Sequence, residues 1–244
     1  MKNKTSPPQI KPGDYPFLNP IIVTKDDGII DGQHRYQVCE MYGCKVEFIK
    51  LDYSKEELRS KECIEKIVEI KDKQRKKLDD YFKKYNIGYK KQIDTCSSDD
   101  KIKYLYSYKD KLKDDAEYWK YLSESYIMSS NNYKYKKELV ELFTSLRPQK
   151  EYLMNDEEKK IIDSLPQKIN IYRGMSTVEA DSSDFGISWT LNKAIADKFA
   201  DSYLHNYDTR SIPHVVKGIS ISKSEIIAYF NGREEEEIIY IHQK

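Results

Sequence analysis

Three segments decide how this chain reads: 169–176, INIYRGMS; 185–200, FGISWTLNKAIADKFA; and 232–241, GREEEEIIYI. Each sets polar residues among apolar ones at period two, the spacing of a strand with one covered face. Residues 168–172, 185–190, 214–221, 225–230 and 235–242 are the strands this pattern predicts. Residues 192–204 break the rhythm: Ile195, Ala196, Phe199 and Ala200 pair at i, i+4, the spacing of a helix between the second and third strands. Asn231-Gly232 is a turn signal ahead of the final strand. The polar signals are Arg173 followed by Gly174, the triplet Ser188-Trp189-Thr190, and the acidic run from Glu234 to Glu237.

Upstream of Pro166 the pattern is helical. Ser54-x-x-Glu57 has the form of a capping box, and Leu58, Ile64, Ile67, Ile70, Leu78 and Phe82 follow at steps of three and four with gaps. Asn86-Ile87-Gly88 stops that helix. Further helices are predicted over 99–113, 114–128, 133–146 and 155–165, the last two stopped by Pro148 and Pro166. Lys and Glu alternate on the remaining faces, as on solvated helices. Ahead of them lies a smaller unit. Residues 1–14 read as an extended leader, Asp27-Gly28 joins two short apolar runs as a hairpin, residues 33–41 form a helix stopped by Gly43, and 46–51 form a strand. Helices followed by strands predict an α+β fold. Its segments are 1–53, 54–166 and 167–244.

Composition narrows the function classes. The 244 residues carry 34% charged and 39% apolar side chains with a net charge of +1, so no global field attracts nucleic acid. The 21 tyrosines supply ring area to a lean core. No apolar run reaches the roughly 20 residues of a membrane span and no signal-peptide core is present, so a cytoplasmic protein with no membrane contact is expected. Cys39, Cys44, Cys63 and Cys96 fall at no metal-ligand spacing, and the four histidines form no metal motif, so no catalytic metal is expected.

Each C-terminal signal taken alone is ordinary: a surface arginine, a strand, a solvated acidic face. Their order is not. An aromatic-Arg-Gly strand, a hydroxyl-bearing strand that feeds a helix, and an acidic pair two apart before an apolar strand together resemble the mono-ADP-ribosyltransferases of the Arg–Ser–Glu class. Trp189 occupies the middle of the second motif and Thr190 its third place. The family's second glutamate directly precedes apolar residues, which selects Glu237, with Glu235 two before it. The resemblance implies NAD as substrate, with no metal. Arg173 would bind the pyrophosphate, Gly174 would let backbone groups approach the nicotinamide, and Ser188 and Thr190 would support the site. Glu237 would stabilise the ribosyl cation, and Glu235 would orient or deprotonate the acceptor. The implied acceptor is a macromolecule, a protein arginine ahead of a nucleic acid.

Residues 19–23, NPIIV, and 27–43, DGIIDGQHRYQVCEMYG, resemble the box of the ParB-like and sulfiredoxin superfamily, whose G-x-H-R turn holds nucleotide phosphates. Gly32, His34 and Arg35 would form that phosphate site, and a nucleotide or nucleic acid would be its ligand. Gln33 stands where sulfiredoxins carry their catalytic cysteine, which argues against sulfinic acid reduction. The short upstream segment argues against the hydrolytic activities of ParB-like domains. Two other readings stay open: a ParB-like nucleotide- or DNA-binding protein with an inactive C-terminal half, and an NAD glycohydrolase using the same residues.

Overall fold

The computed structural model describes residues 20–32, 36–37, 40, 47–130, 132–203 and 213–242. The leader, Gln33, His34, Arg35, Cys39, Gly43, Cys44, Val46 and His205 lie outside the described residues, while Tyr36, Gln37 and Glu40 of the helix expected over 33–41 are described and helical. Two units divide at Gly88: Met1–Gly88 and Tyr89–Lys244. Together they make an α+β protein with a three-stranded and a five-stranded sheet.

In the first unit, β1 (Ile21–Val23) is buried at all three residues, because it lies between β2 (Ile29–Asp31), antiparallel, and β3 (Phe48–Lys50), parallel. The hairpin turns at Asp27, in the left-handed region at φ 64°, and the Thr24 hydroxyl accepts the Gly28 amide at 2.8 Å. Helix α1 (Lys61–Lys84) buries Cys63, Ile70, Gln74, Leu78 and Phe82 on one stripe, and Cys63 and Ile70 join Ile22, Leu51 and Leu58 in the core. The Ser54 amide does donate to Glu57 Oε2, at 2.8 Å, but this opens a 3-10 turn at Glu57–Arg59 rather than the long helix. That helix starts at Lys61, where the Ser60 hydroxyl caps the Cys63 amide.

The second unit opens with five helices: α2 (Tyr89–Thr95), α3 (Lys101–Tyr108), α4 (Asp115–Met128), α5 (Lys136–Phe143) and α6 (Asp156–Ser164). The continuous helix expected over 99–113 is instead α3 between two 3-10 turns. The reason lies in Arg147, whose guanidinium takes the carbonyls of Lys109 (3.0 Å) and Leu112 (2.7 Å), so the chain tightens and leaves the helix there. The expected helix over 133–146 shortens to α5, leaving Leu146 fully exposed. Helix α4 is the buried centre of this group, with Tyr118, Trp119, Leu122 and Tyr126 at 2% exposure or less.

The sheet follows. β4 (Lys168–Ser176) pairs along its whole length with β6 (His214–Ser222), and its other edge meets β5 (Ser188–Thr190). β8 (Glu237–Ile239) lies between β5 and β7 (Ala228–Phe230), giving the order β6-β4-β5-β8-β7, antiparallel at every pair. Ile169, Ile171, Met175, Trp189, Tyr229 and Ile238 form the core of one face. Helix α7 (Thr177–Ser182), which the strand pattern concealed, follows β4, and α8 (Lys193–Tyr203) packs on β4 at Gly174.

Three strand expectations are corrected. The segment 185–190 is strand only at Ser188–Thr190. The segment 225–230 begins with a 3-10 turn, because Ser222 and Glu225 form a reciprocal capping box, and only Ala228–Phe230 is strand. The segment 235–242 is strand only at Glu237–Ile239. Glu234 (φ 58°) and Glu236 (φ 45°) are left-handed, so the acidic run is a turn whose amides bond to Asn231.

Candidate active site

Alternation along β5 sends Ser188 and Thr190 to one face and Trp189 to the other, into the core. Thr190 pairs across the ladder with Glu237, which places the Glu237 carboxylate diagonally beside the Ser188 hydroxyl. The Ser188 Oγ donates to Glu237 Oε1 in a short hydrogen bond, and the Tyr126 phenol donates to the same oxygen at 2.6 Å. Burial raises the Glu237 pKa above the ordinary carboxylate value. The two hydrogen bonds oppose that rise, Glu235 adds to it and Arg233 offsets it. The same burial, together with the Glu237 charge, lifts Tyr126 well above a free phenol, so it stays a donor.

Thr190 holds the acidic turn from below. Its hydroxyl donates to the Glu235 carbonyl at 2.7 Å and accepts the Asn192 amide at 3.0 Å, tying the turn to the start of α8. The half-buried Glu235 also has its carboxyl pKa raised, by burial first, with Arg233 countering.

Arg173 is 9% exposed and lies in a buried ion pair with Glu179 of α7. Its Nε donates to Glu179 Oε1 at 2.8 Å, its Nη1 donates to the Ser188 carbonyl at 2.8 Å, and Glu179 Oε1 also accepts the Gly186 amide at 2.7 Å. A Cβ at Gly186 would sit 2.7 Å from the guanidinium carbon, so a larger residue there would have to displace Arg173 from its present position. Gly174 has a packing reason of its own: a Cβ there would collide with the Ala196 carbonyl and come within 2.5 Å of the Ala200 amide nitrogen of α8.

Arg173, Gly174, Ser188, Thr190, Glu235 and Glu237 all line one cavity of about 540 Å³, a volume that suits a ligand of nucleotide size. Glu234 and Glu236 do not line it, so the turn itself separates the acidic run into inward and outward members. Gly32 lies elsewhere, in the first unit. It has φ 99° directly after β2, and its carbonyl accepts the Tyr36 amide at 2.8 Å. His34 and Arg35 lie outside the described residues. Tyr126, Glu179 and Gly186 also line the cavity, and the sequence reading singled out none of the three. Only Glu179 left a trace, in the spacing Ser176-x-x-Glu179. Ser176 does cap α7 through the Glu179 amide, while the Glu179 side chain goes to Arg173.

Among the described residues no group of three or more His, Cys, Asp or Glu could hold a metal ion, and no helix is long and apolar enough to cross a membrane. No protein-family model matches the sequence, and neither a curated protein nor a solved structure matches the chain.

Proposed function

We propose that the second unit is a mono-ADP-ribosyltransferase that moves ADP-ribose from NAD to a macromolecular acceptor, a protein arginine side chain, and releases nicotinamide. One observation carries this reading. Arg173, Ser188 and Glu237 come in that order from three strands, they line one cavity, and Ser188 holds the Glu237 carboxylate by a hydrogen bond. This is the arrangement that the resemblance to the Arg–Ser–Glu class implies.

The chemistry follows from the residues. The bond between ribose C1′ and the nicotinamide nitrogen breaks, and its electron pair leaves with the ring as neutral nicotinamide. No general acid is needed. The ribose is left as an oxocarbenium ion, as in other glycosyl transfers. The ionised Glu237 stabilises that cation electrostatically and accepts a hydrogen bond from the ribose 2′-hydroxyl. Its fixed position matters because a preorganised charge needs no reorganisation during the reaction. Arg173 faces the pyrophosphate with its plane set by Glu179 and the Ser188 carbonyl. The acceptor nitrogen attacks C1′ and gives its proton to Glu235. A guanidinium acceptor, with pKa above about 12, needs such a base, and the raised pKa of Glu235 makes it a stronger one.

In the first unit we assign phosphate binding to the turn of Gly32, His34 and Arg35. Support comes from Gly32, which directly follows β2 in a left-handed backbone that glycine adopts without strain.

Purified protein incubated with adenylate-labelled NAD and cell lysate tests the main reading. Label on protein is the expected result. Free ADP-ribose without labelled macromolecules would make water the acceptor and the protein a glycohydrolase. No release of nicotinamide would overturn the reading.

A further inference from the structure

Two donors end on one oxygen of Glu237. A carboxylate offers about two lone pairs on each oxygen, and Ser188 Oγ and Tyr126 Oη both donate to Oε1. Ser188 is a β5 neighbour, but Tyr126 belongs to α4, 111 residues earlier. The phenol reaches this oxygen from a fixed place. Tyr126 is 1% exposed, its ring lies edge-on to Phe143 at 5.3 Å and 80°, and it packs against Phe230 at 5.6 Å. Phe230 is the ladder partner of Glu237, so one strand pair sets both the ring wall and the carboxylate. The Asn132 amide donates to the Tyr126 carbonyl at 3.2 Å, which anchors the end of the helix.

We propose that Tyr126 is a positioning residue for this site: with Ser188 it pins Oε1 of Glu237, so that Oε2 is the oxygen presented to the substrate ribose. This rests on the transferase reading for its consequence, though not for its geometry. The groups facing Glu237 are Tyr126 from α4, Ser188 from β5, and Glu235 and Arg233 from the acidic turn. Arg173 of β4 acts electrostatically on the phenol. Within this set, Tyr126 and Ser188 donate hydrogen bonds to the carboxylate, and both favour its ionised form against burial. Tyr126→Phe removes one donor and keeps the ring that fills the space. It therefore changes both the orientation of Glu237 and the ease of ionising it, whereas a purely structural role would change neither.

The decisive experiment is a pH titration of the Glu237 side-chain carboxyl by carbon-13 NMR in the full chain, assigned with Glu237→Gln. In Tyr126→Phe the midpoint should rise by about one to two pH units, the loss of one hydrogen bond to a charged group. The acid limb of kcat/KM for NAD should move upward with it. At neutral pH kcat should fall while KM for NAD stays within about a factor of two, because the contact acts on the ribosyl cation rather than on bound NAD. An unchanged midpoint in the folded variant overturns the proposal. If Tyr126→Phe does not fold, the wild type still decides. The Tyr126 ring carbon bearing the hydroxyl should titrate with the same midpoint as Glu237, and a resonance that ignores that titration overturns the proposal. A wild type that releases no nicotinamide would remove the transferase reading and leave the titration to judge the Tyr126 contact separately.

Discussion

Glu237 is costly to ionise where it sits, and that cost is tied to its chemistry. With the charge removed and the shape kept, Glu237→Gln should slow NAD cleavage by about 100- to 1,000-fold, the usual loss for one electrostatic contact to a transition state. The same substitution should not lower stability. Burial places the folded-state pKa of Glu237 above the ordinary carboxylate value of 4.5, so the folded protein holds this proton more tightly than the unfolded chain. That contribution is complete below about pH 4.5 and is lost as pH rises through the raised pKa. Thermal melts at pH 8 should therefore find the variant at least as stable as wild type, with the difference closing at acid pH. A variant markedly less stable at pH 8 would mean the carboxylate supports the fold. Glu235→Gln separates the two glutamates. It should impair transfer to an arginine acceptor more than hydrolysis of NAD, because only transfer requires the acceptor to lose a proton. Parallel losses in assays of the two reactions would assign Glu235 to NAD itself. At this scale the order of the three polar signals, and the resemblance they carry, singled out Arg173, Ser188 and Glu237, but their partners were not legible. Tyr126 is one of 21 tyrosines, and nothing in its neighbours marks a bond to a residue 111 positions away. Glu179 sits in a stretch whose capping pattern was masked by the strand before it.

Among the elements, two that departed from expectation share a cause. Ser54-Glu57 and Ser222-Glu225 are both capping pairs, yet each opens a single 3-10 turn, because the apolar residues that follow go to a different element. Capping chemistry fixes where a turn starts, and tertiary packing decides how far it runs. The acidic run shows the reverse case. Four like residues carry no periodicity of their own, and the left-handed Glu234 and Glu236 follow from Asn231, which takes both of their amides. The helix after β5 was legible from its i, i+4 pairs. Its close seat on β4 was not, since that depends on what faces Gly174 across space. Gly174→Ala tests the seat. The added methyl collides with backbone of α8, which cannot turn aside as a side chain can, so unfolding should become easier by about 1–3 kcal/mol. A denaturant midpoint equal to that of wild type would show that α8 moves at little cost.

Across the whole molecule, helices before strands gave the α+β class, and the change of period near Pro166 located where the sheet begins. The order of its strands was beyond the sequence, since antiparallel partners are chosen by faces that meet only after folding. All six cavity residues that the proposed transferase reading uses fall in Tyr89–Lys244, while Gly32 falls in Met1–Gly88. The position of β8 has a consequence for synthesis. It follows β4 to β7 in sequence yet fits between β5 and β7, so the strand that brings Glu237 is also the one that joins the sheet. Until residues 237–239 have emerged from the ribosome, β5 shows an open edge and β7 has no neighbour, a template for pairing with other chains. A chain ended at Asn231 should accordingly appear in the insoluble fraction, where a soluble, folded and merely inactive product would contradict this. A nascent chain thus acquires the Glu237 carboxylate in the same step that closes its most aggregation-prone edge.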